Sequence, residues 1–165
     1  MKTSDGGTKW KIIEVDVNEK IAYIFFIDKT TGWIASWLGK ILITTDSGEN
    51  WKEISDLESG IKSLFFIDKK TGWAAGSEGK IFNTNDGGIT WKQQKSKVYK
   101  DLYSIYFIDS KKGWIVGDYA TILHTTNGGN SWQIQKIIKD KTEIDNDLRS
   151  VFAIDKNNVI AAGLY

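Results

Sequence analysis

The stretch Thr84-Asn85-Asp86-Gly87-Gly88-Ile89-Thr90-Trp91 packs an acid, two glycines, two hydroxyls and a tryptophan close together. Taken alone it admits two readings: a catalytic or cation-binding loop, or a turn. Three near-copies decide between them: Thr3–Trp10 ("TSDGGTKW"), Thr44–Trp51 ("TTDSGENW") and Thr125–Trp132 ("TTNGGNSW"). Their third residues, Asp5, Asp46, Asp86 and Asn127, stand about 40 residues apart, a fixed period that marks a repeat architecture. A catalytic acid is not needed four times at equal spacing, whereas a turn staple is. Gly87 and Gly88 supply the positive φ of a tight turn, and Asp86 can accept bonds from nearby backbone N–H groups. Trp91 is large and apolar enough to pack between units.

The rest of the chain keeps the same period. Phe25–Asp28 "FFID" returns at Phe65–Asp68, as "YFID" at Tyr106–Asp109 and as "FAID" at Phe152–Asp155. "TGW" at Thr31–Trp33 returns at Thr71–Trp73 and as "KGW" at Lys112–Trp114. Each unit divides into four short segments: Ser63–Ile67, apolar on both faces, then Gly72–Gly76, Lys80–Thr84 and Thr90–Gln94. Glycine punctuates every unit and helical periodicity is missing, so these segments predict strands. Four antiparallel strands per unit of about 40 residues make the blade of a β-propeller, so the expected class is all-β. The expected spans are 1–17 (last strand of a preceding blade), blades at 20–58, 60–98 and 101–138, and 147–165 (first half of a further blade). The chain then holds three full blades plus end strands, as expected of part of a larger propeller. Open blade edges invite pairing with another chain.

Composition narrows function by exclusion. A net charge of +1 provides no field for nucleic acid. No cysteine is present, which removes disulfide and thiolate chemistry. No apolar run approaches the roughly 18 residues of a membrane-spanning helix. His124 has no second histidine or cysteine nearby, so no metal or other cofactor is expected.

The stretch Thr84–Trp91 resembles the Asp-box, or bacterial neuraminidase repeat, in full. The matching positions are Asp5 in the first copy; Thr44, Asp46, Gly48 and Trp51; Thr84, Asp86, Gly88, Thr90 and Trp91; and Thr125, Asn127, Gly129 and Trp132. The copies depart from the pattern at Lys9, Asn50 and Asn127. Together with "FFID", "GW" and "GKI", the repeat resembles the photosystem II stability/assembly factor family over nearly the whole chain. That resemblance implies a seven-bladed, non-enzymatic protein that binds a protein partner outside the cytoplasm, with a glycan as a second partner class. It also implies that the boxes line one rim and that ligands use the opposite face.

On that face the positions that escape the repeat rule are the candidates. Trp37, Glu78, Asp118 and Tyr119 lie in the loops between second and third strands, and Lys62 and Arg149 lie at the start of first strands. Exposed aromatics in such loops suit recognition, with cover for the adjacent blade as the competing role. The last blade connection, around residues 139–146, carries an insertion of about five residues relative to the others. A glycoside hydrolase is the alternative function, with Glu78 and Asp118 as the carboxylate pair. A sialidase would need three arginines, and the chain has Arg149 alone.

Overall fold

The computed structural model describes residues 1–139, 142–143 and 145–164. Three four-stranded antiparallel meanders follow one another: β1 (Ile21–Phe26), β2 (Gly32–Ser36), β3 (Lys40–Thr44) and β4 (Lys52–Asp56); β5 (Ile61–Phe66), β6 (Gly72–Gly76), β7 (Ile81–Thr84) and β8 (Lys92–Gln94); β9 (Leu102–Phe107), β10 (Gly113–Gly117), β11 (Ile122–Thr125) and β12 (Gln133–Gln135). A ladder of β13 (Ile138–Lys139) with β14 (Thr142–Glu143) precedes a final pair, β15 (Leu148–Ala153) with β16 (Val159–Gly163). The expected insertion at 139–146 falls partly outside the described residues. Fourth strands begin two residues later than the sequence suggests, because Thr90 and Trp91 are consumed by the turn. Segment 1–17, expected as a strand, holds one antiparallel bridge, Lys2 to Lys11. That bridge flanks its Asp-box as Asn83 and Lys92 flank the next-but-one, so the segment has the outline of the outer half of a blade.

The boxes fold alike. The Thr84 hydroxyl donates to Asp86 Oδ1 (2.8 Å) and accepts from the Gly88 N–H (2.9 Å). The Thr90 N–H donates to Asp86 Oδ1 (2.9 Å), and its hydroxyl donates to Oδ2 (2.5 Å). Gly87 and Gly88 sit at φ of 79° and 93°, where a Cβ would be strained. Asp5 is held the same way by the Thr3 hydroxyl (2.8 Å) and the Lys9 N–H (3.0 Å), so the motif closes without a full blade behind it. In the third blade Asn127 substitutes its amide: Oδ1 accepts from Thr125 Oγ1 (3.0 Å) and from the Ser131 N–H (2.9 Å).

These bonds set an acid response. The Thr90 hydroxyl and N–H hold the Asp86 carboxyl down to about 2, and the backbone and side-chain N–H groups of Asn50 hold Asp46 at about 2. Both lie below the unfolded value of about 3.9. Their contribution is therefore complete above that value and is lost as pH falls through about 2. Asn127 takes up no proton in this range. The amide resonances of Asn50 and Thr90 are expected to shift between about pH 4 and 2, while Ser131 holds still. A parallel shift at Ser131 would show that the acid transition is global.

The units pack side to side through their inner and second strands. Trp33 and Trp73, of β2 and β6, are fully buried and stack on a phenylalanine of the next blade. The rings lie 3.7 Å apart for Trp33–Phe66 and 3.6 Å for Trp73–Phe107. Each indole also donates across the interface to the next Asp-box: Trp33 Nε1 to Gly87 O (2.8 Å) and Trp73 Nε1 to Gly128 O (3.1 Å). The Asp-box tryptophan closes the sandwich edge-on: Phe66–Trp91 and Phe107–Trp132, both at 6.0 Å. A fourth-strand side chain completes the latch. Ser55 bridges Gly88 O and the Trp91 indole, and Gln94 bridges Gly128 O and the Trp132 indole. Nearer the centre, Ser63 Oγ accepts the Ile105 N–H and Ser104 Oγ the Val151 N–H. The core is thus a series of interfaces, each buried only once two units meet.

Candidate functional site

The meander puts two sets of connections at opposite ends of each blade. At one end the Asp-boxes bond to the turns between first and second strands, as Gly87 N–H does to Lys70 O and Gly128 N–H to Lys111 O. At the other end the loops between second and third strands bond to the blade connections: Trp37 N–H to Lys20 O, Ser77 N–H to Gly60 O and Asp118 N–H to Asp101 O. All six candidate residues belong to this second end.

There the structure brings several of them into one row. Trp37 of the first unit lies beside Lys62 of the second, whose Nζ is 5.5 Å from the indole and 5.2 Å from the Tyr103 ring of the third. Arg149 of the fourth unit stacks its guanidinium on the Tyr103 ring, at 3.7 Å. Cation–π contacts of this kind contribute about 0.5–2 kcal/mol depending on exposure. The periodicity explains the row, because Lys62, Tyr103 and Arg149 are each the second residue of a first strand. With Ala22 and Ile61 they line an open groove. Tyr119 stands apart with Lys100 over its ring at 3.8 Å. Trp37 and Tyr119 are both exposed, so neither is consumed in covering a neighbouring blade.

The two acids do different things. Glu78 turns toward Lys80, at 3.9 Å, and is well exposed. Asp118 lies near enough to the Tyr103 hydroxyl to act on its ionisation. Burial, then the Asp118 carboxylate, pushes that phenol up to about 12, against the opposing effect of Arg149. Tyr103 therefore stays protonated beside the Asp118 carboxylate. Among the described residues no hydrogen bond or ion pair joins Glu78 to Asp118, and no three His, Asp or Glu side chains gather as metal ligands. His124 stacks on Trp114 at 4.9 Å, and burial lowers its pKa.

Asp101 and Asp147, which the sequence reading passed over, hold the row together. Asp101 accepts the Glu78 N–H (3.1 Å) and pairs with Lys62 (3.2 Å). Asp147 accepts the Tyr119 N–H (3.2 Å) and pairs with Arg149 (2.6 Å). Each carboxylate thereby fixes one cation and pins a loop residue with positive φ, 57° at Glu78 and 53° at Tyr119. Such backbone costs of order 1 kcal/mol persist only where surrounding contacts enforce them. A signal was present in the shared pattern Asp101-Leu102-Tyr103-Ser104 and Asp147-Leu148-Arg149-Ser150.

No curated protein matches the chain. Among solved structures, YCF48 from Cyanidioschyzon merolae is similar at 13% identity and a TM-score of 0.70, over 87% of this chain and 48% of that one. YCF48 bound to a D1 peptide is similar at 23% identity and a TM-score of 0.66, over 74% of this chain and 42% of that one. An ancestral GH74 enzyme is similar at 17% identity and a TM-score of 0.62, over 80% of this chain and 20% of that one. At such identities these likenesses show the fold. The chain spans less than half the length of either YCF48 chain. The model of one family, photosynthesis system II assembly factor YCF48, matches residues 55–162, which run from the last strand of the first blade through the final strand pair; the chain belongs to that family.

Proposed function

We propose that this chain is a non-catalytic assembly module that binds an extended segment of a partner protein across the loop face. The observation that carries it is the row Trp37, Lys62, Tyr103 and Arg149, in which four consecutive units each contribute one side chain. A polypeptide laid along that groove meets aromatic faces for its apolar groups and cationic donors for its carboxylates and carbonyls. Asp147 engages Nη2 of Arg149, one corner of a guanidinium with five N–H donors. Support comes from the family and from its YCF48 member captured with a D1 peptide. An extracytoplasmic location is part of the same proposal. The hydrolase alternative rests on a likeness of fold, and among the described residues no hydrogen bond or ion pair joins Glu78 to Asp118.

Selection of a random peptide library on the wild-type chain tests the proposal. Peptides that bind wild type are expected to lose about tenfold or more in affinity on the double variant Trp37→Ala, Tyr103→Ala, since each anchor removed from a recognition surface costs more than about 1 kcal/mol. Tyr99→Ala, an exposed aromatic outside the row, is expected to leave affinity unchanged. Equal affinity for wild type and the double variant would overturn the assignment of the face.

A further inference from the structure

Asn127–Gly128 is the one Asn-Gly step in the sequence, and it falls where the other boxes carry Asp5, Asp46 and Asp86. An asparagine amide is open to attack by the backbone nitrogen of the next residue. Glycine obstructs that attack least, because it carries no Cβ and tolerates unusual backbone angles. Asn127 is exposed in its turn, and Gly128 follows it at a φ of 70°.

The box surrounds this amide with donors. Asn127 Oδ1 accepts from the Thr125 hydroxyl (3.0 Å) and from the Ser131 N–H (2.9 Å). Negative charge gathers on that oxygen when a nucleophile adds to Cγ, and two fixed donors stabilise it there as an oxyanion hole does. Nδ2, the atom that must leave, lies 2.9 Å from Ser131 Oγ. Once Cγ is tetrahedral, Nδ2 carries a lone pair, which the Ser131 hydroxyl is placed to protonate. The attacking atom is held as well. Gly128 N–H donates to Lys111 O (2.8 Å), so attack waits on a local opening of that bond.

A sister box shows the product in place. Asp86 receives the Thr84 hydroxyl and the Thr90 N–H on Oδ1, and the Thr90 hydroxyl on Oδ2. An aspartate at 127 would keep both Oδ1 bonds and receive the Ser131 hydroxyl on its second oxygen.

We propose that Asn127 is a deamidation site, converted with water into the aspartate that completes the third Asp-box, and that the donors of the box promote the step. The Gly128 nitrogen bonds to Asn127 Cγ and the Cγ–Nδ2 bond breaks. Nδ2 leaves as ammonia with the proton that the Gly128 nitrogen gives up, and a cyclic imide remains. Water then adds to Cγ, the bond from Cγ to the Gly128 nitrogen breaks, and that nitrogen regains a proton. The new carboxyl loses its proton to the ammonia. Water can instead add to the backbone carbonyl carbon of Asn127, which leaves isoaspartate and one extra methylene in the main chain. The box opposes that outcome. Its donors activate Cγ, and a lengthened turn would carry Gly128 O away from Trp73 Nε1 (3.1 Å) and Gln94 Nε2 (2.9 Å). Conversion takes the formal net charge from +1 to zero and gives the third blade an acid-sensitive staple. It does not depend on the function assigned to the loop face.

Peptide mapping by mass spectrometry, on the native chain held in warm and mildly alkaline buffer, tests this. Asn127→Asp serves as the standard for the product. Asn127 is expected to lose its amide before any other asparagine and to give mainly aspartate, whereas the chain unfolded in urea gives mainly isoaspartate. Ser131→Ala removes an exposed side chain, so it is expected to fold, and circular dichroism melts check that it does. It is expected to slow the conversion several-fold. In the converted chain the Ser131 amide resonance is expected to shift between about pH 4 and 2, together with those of Asn50 and Thr90. Four results would each overturn the proposal: an amide at 127 that survives in the native chain while the unfolded chain loses it, isoaspartate as the main native product, earlier loss at another asparagine, or a conversion that Ser131→Ala leaves unchanged or quickens.

Discussion

Trp73→Ala is expected to lower the unfolding free energy by about 3–5 kcal/mol, the range for truncating a large buried aromatic. Three contacts fail at once. The stack on Phe107 is lost, a cavity opens between the second and third blades, and Gly128 O keeps only the Gln94 amide. Trp114→Ala, at the same repeat position, is expected to cost clearly less. Ala153 stands where Phe107 would, and the Trp114 ring rests on His124 instead. Urea denaturation of both variants checks the difference. Equal losses would mean that the tryptophans act through their own blades and not through the neighbour.

Gly113→Val is expected to cost about 3 kcal/mol, the upper end of overpacking penalties, because a Cβ at this glycine would stand 2.6 Å from the Phe107 ring. Gly72 faces Phe66 in the same way, at 2.5 Å. The fourth unit has already exchanged the two sizes: Ala153 replaces the phenylalanine, and its cross-strand partner Val159 replaces the glycine. The valine is therefore expected to cost less than about 1 kcal/mol in a Phe107→Ala background, a coupling of 2 kcal/mol or more between paired residues. A double-mutant cycle in urea measures it. Additive costs would show that backbone freedom, and not the ring, demands glycine there.

The architecture was legible because it is written several times. Period, strand content and the stapling role of Asp86 follow from residues that recur. The same repetition announced the Gly-Trp positions, yet not their reach: Trp33 and Trp73 donate to an Asp-box in the following unit, and that distance is set by blade packing alone. The loop face was half legible. Lys62, Arg149 and Trp37 stood out because they break the pattern, and the structure sets all three against Tyr103 or its neighbour Lys62. Tyr103 varies in the same column, yet its place at the centre of the row was not legible, because it lies in contacts with two other blades. Asp101 and Asp147 were hidden for the opposite reason. They sit in connections of unequal length, where alignment by period is weakest.

Because each latch joins only a unit and its successor, copy number is a free variable during descent. A duplicated unit inserted between the second and third blades finds a stacking phenylalanine ahead of it and a tryptophan behind it, so the gene can lengthen there without compensating change. After the fourth unit the outcome differs. With Ile160 in the tryptophan position, a newly appended unit finds no indole to grip its Asp-box. The exchange at Ala153, Val159 and Ile160 thus makes tandem duplication uneven along the chain, permitted between the second and third units and penalised directly after the fourth.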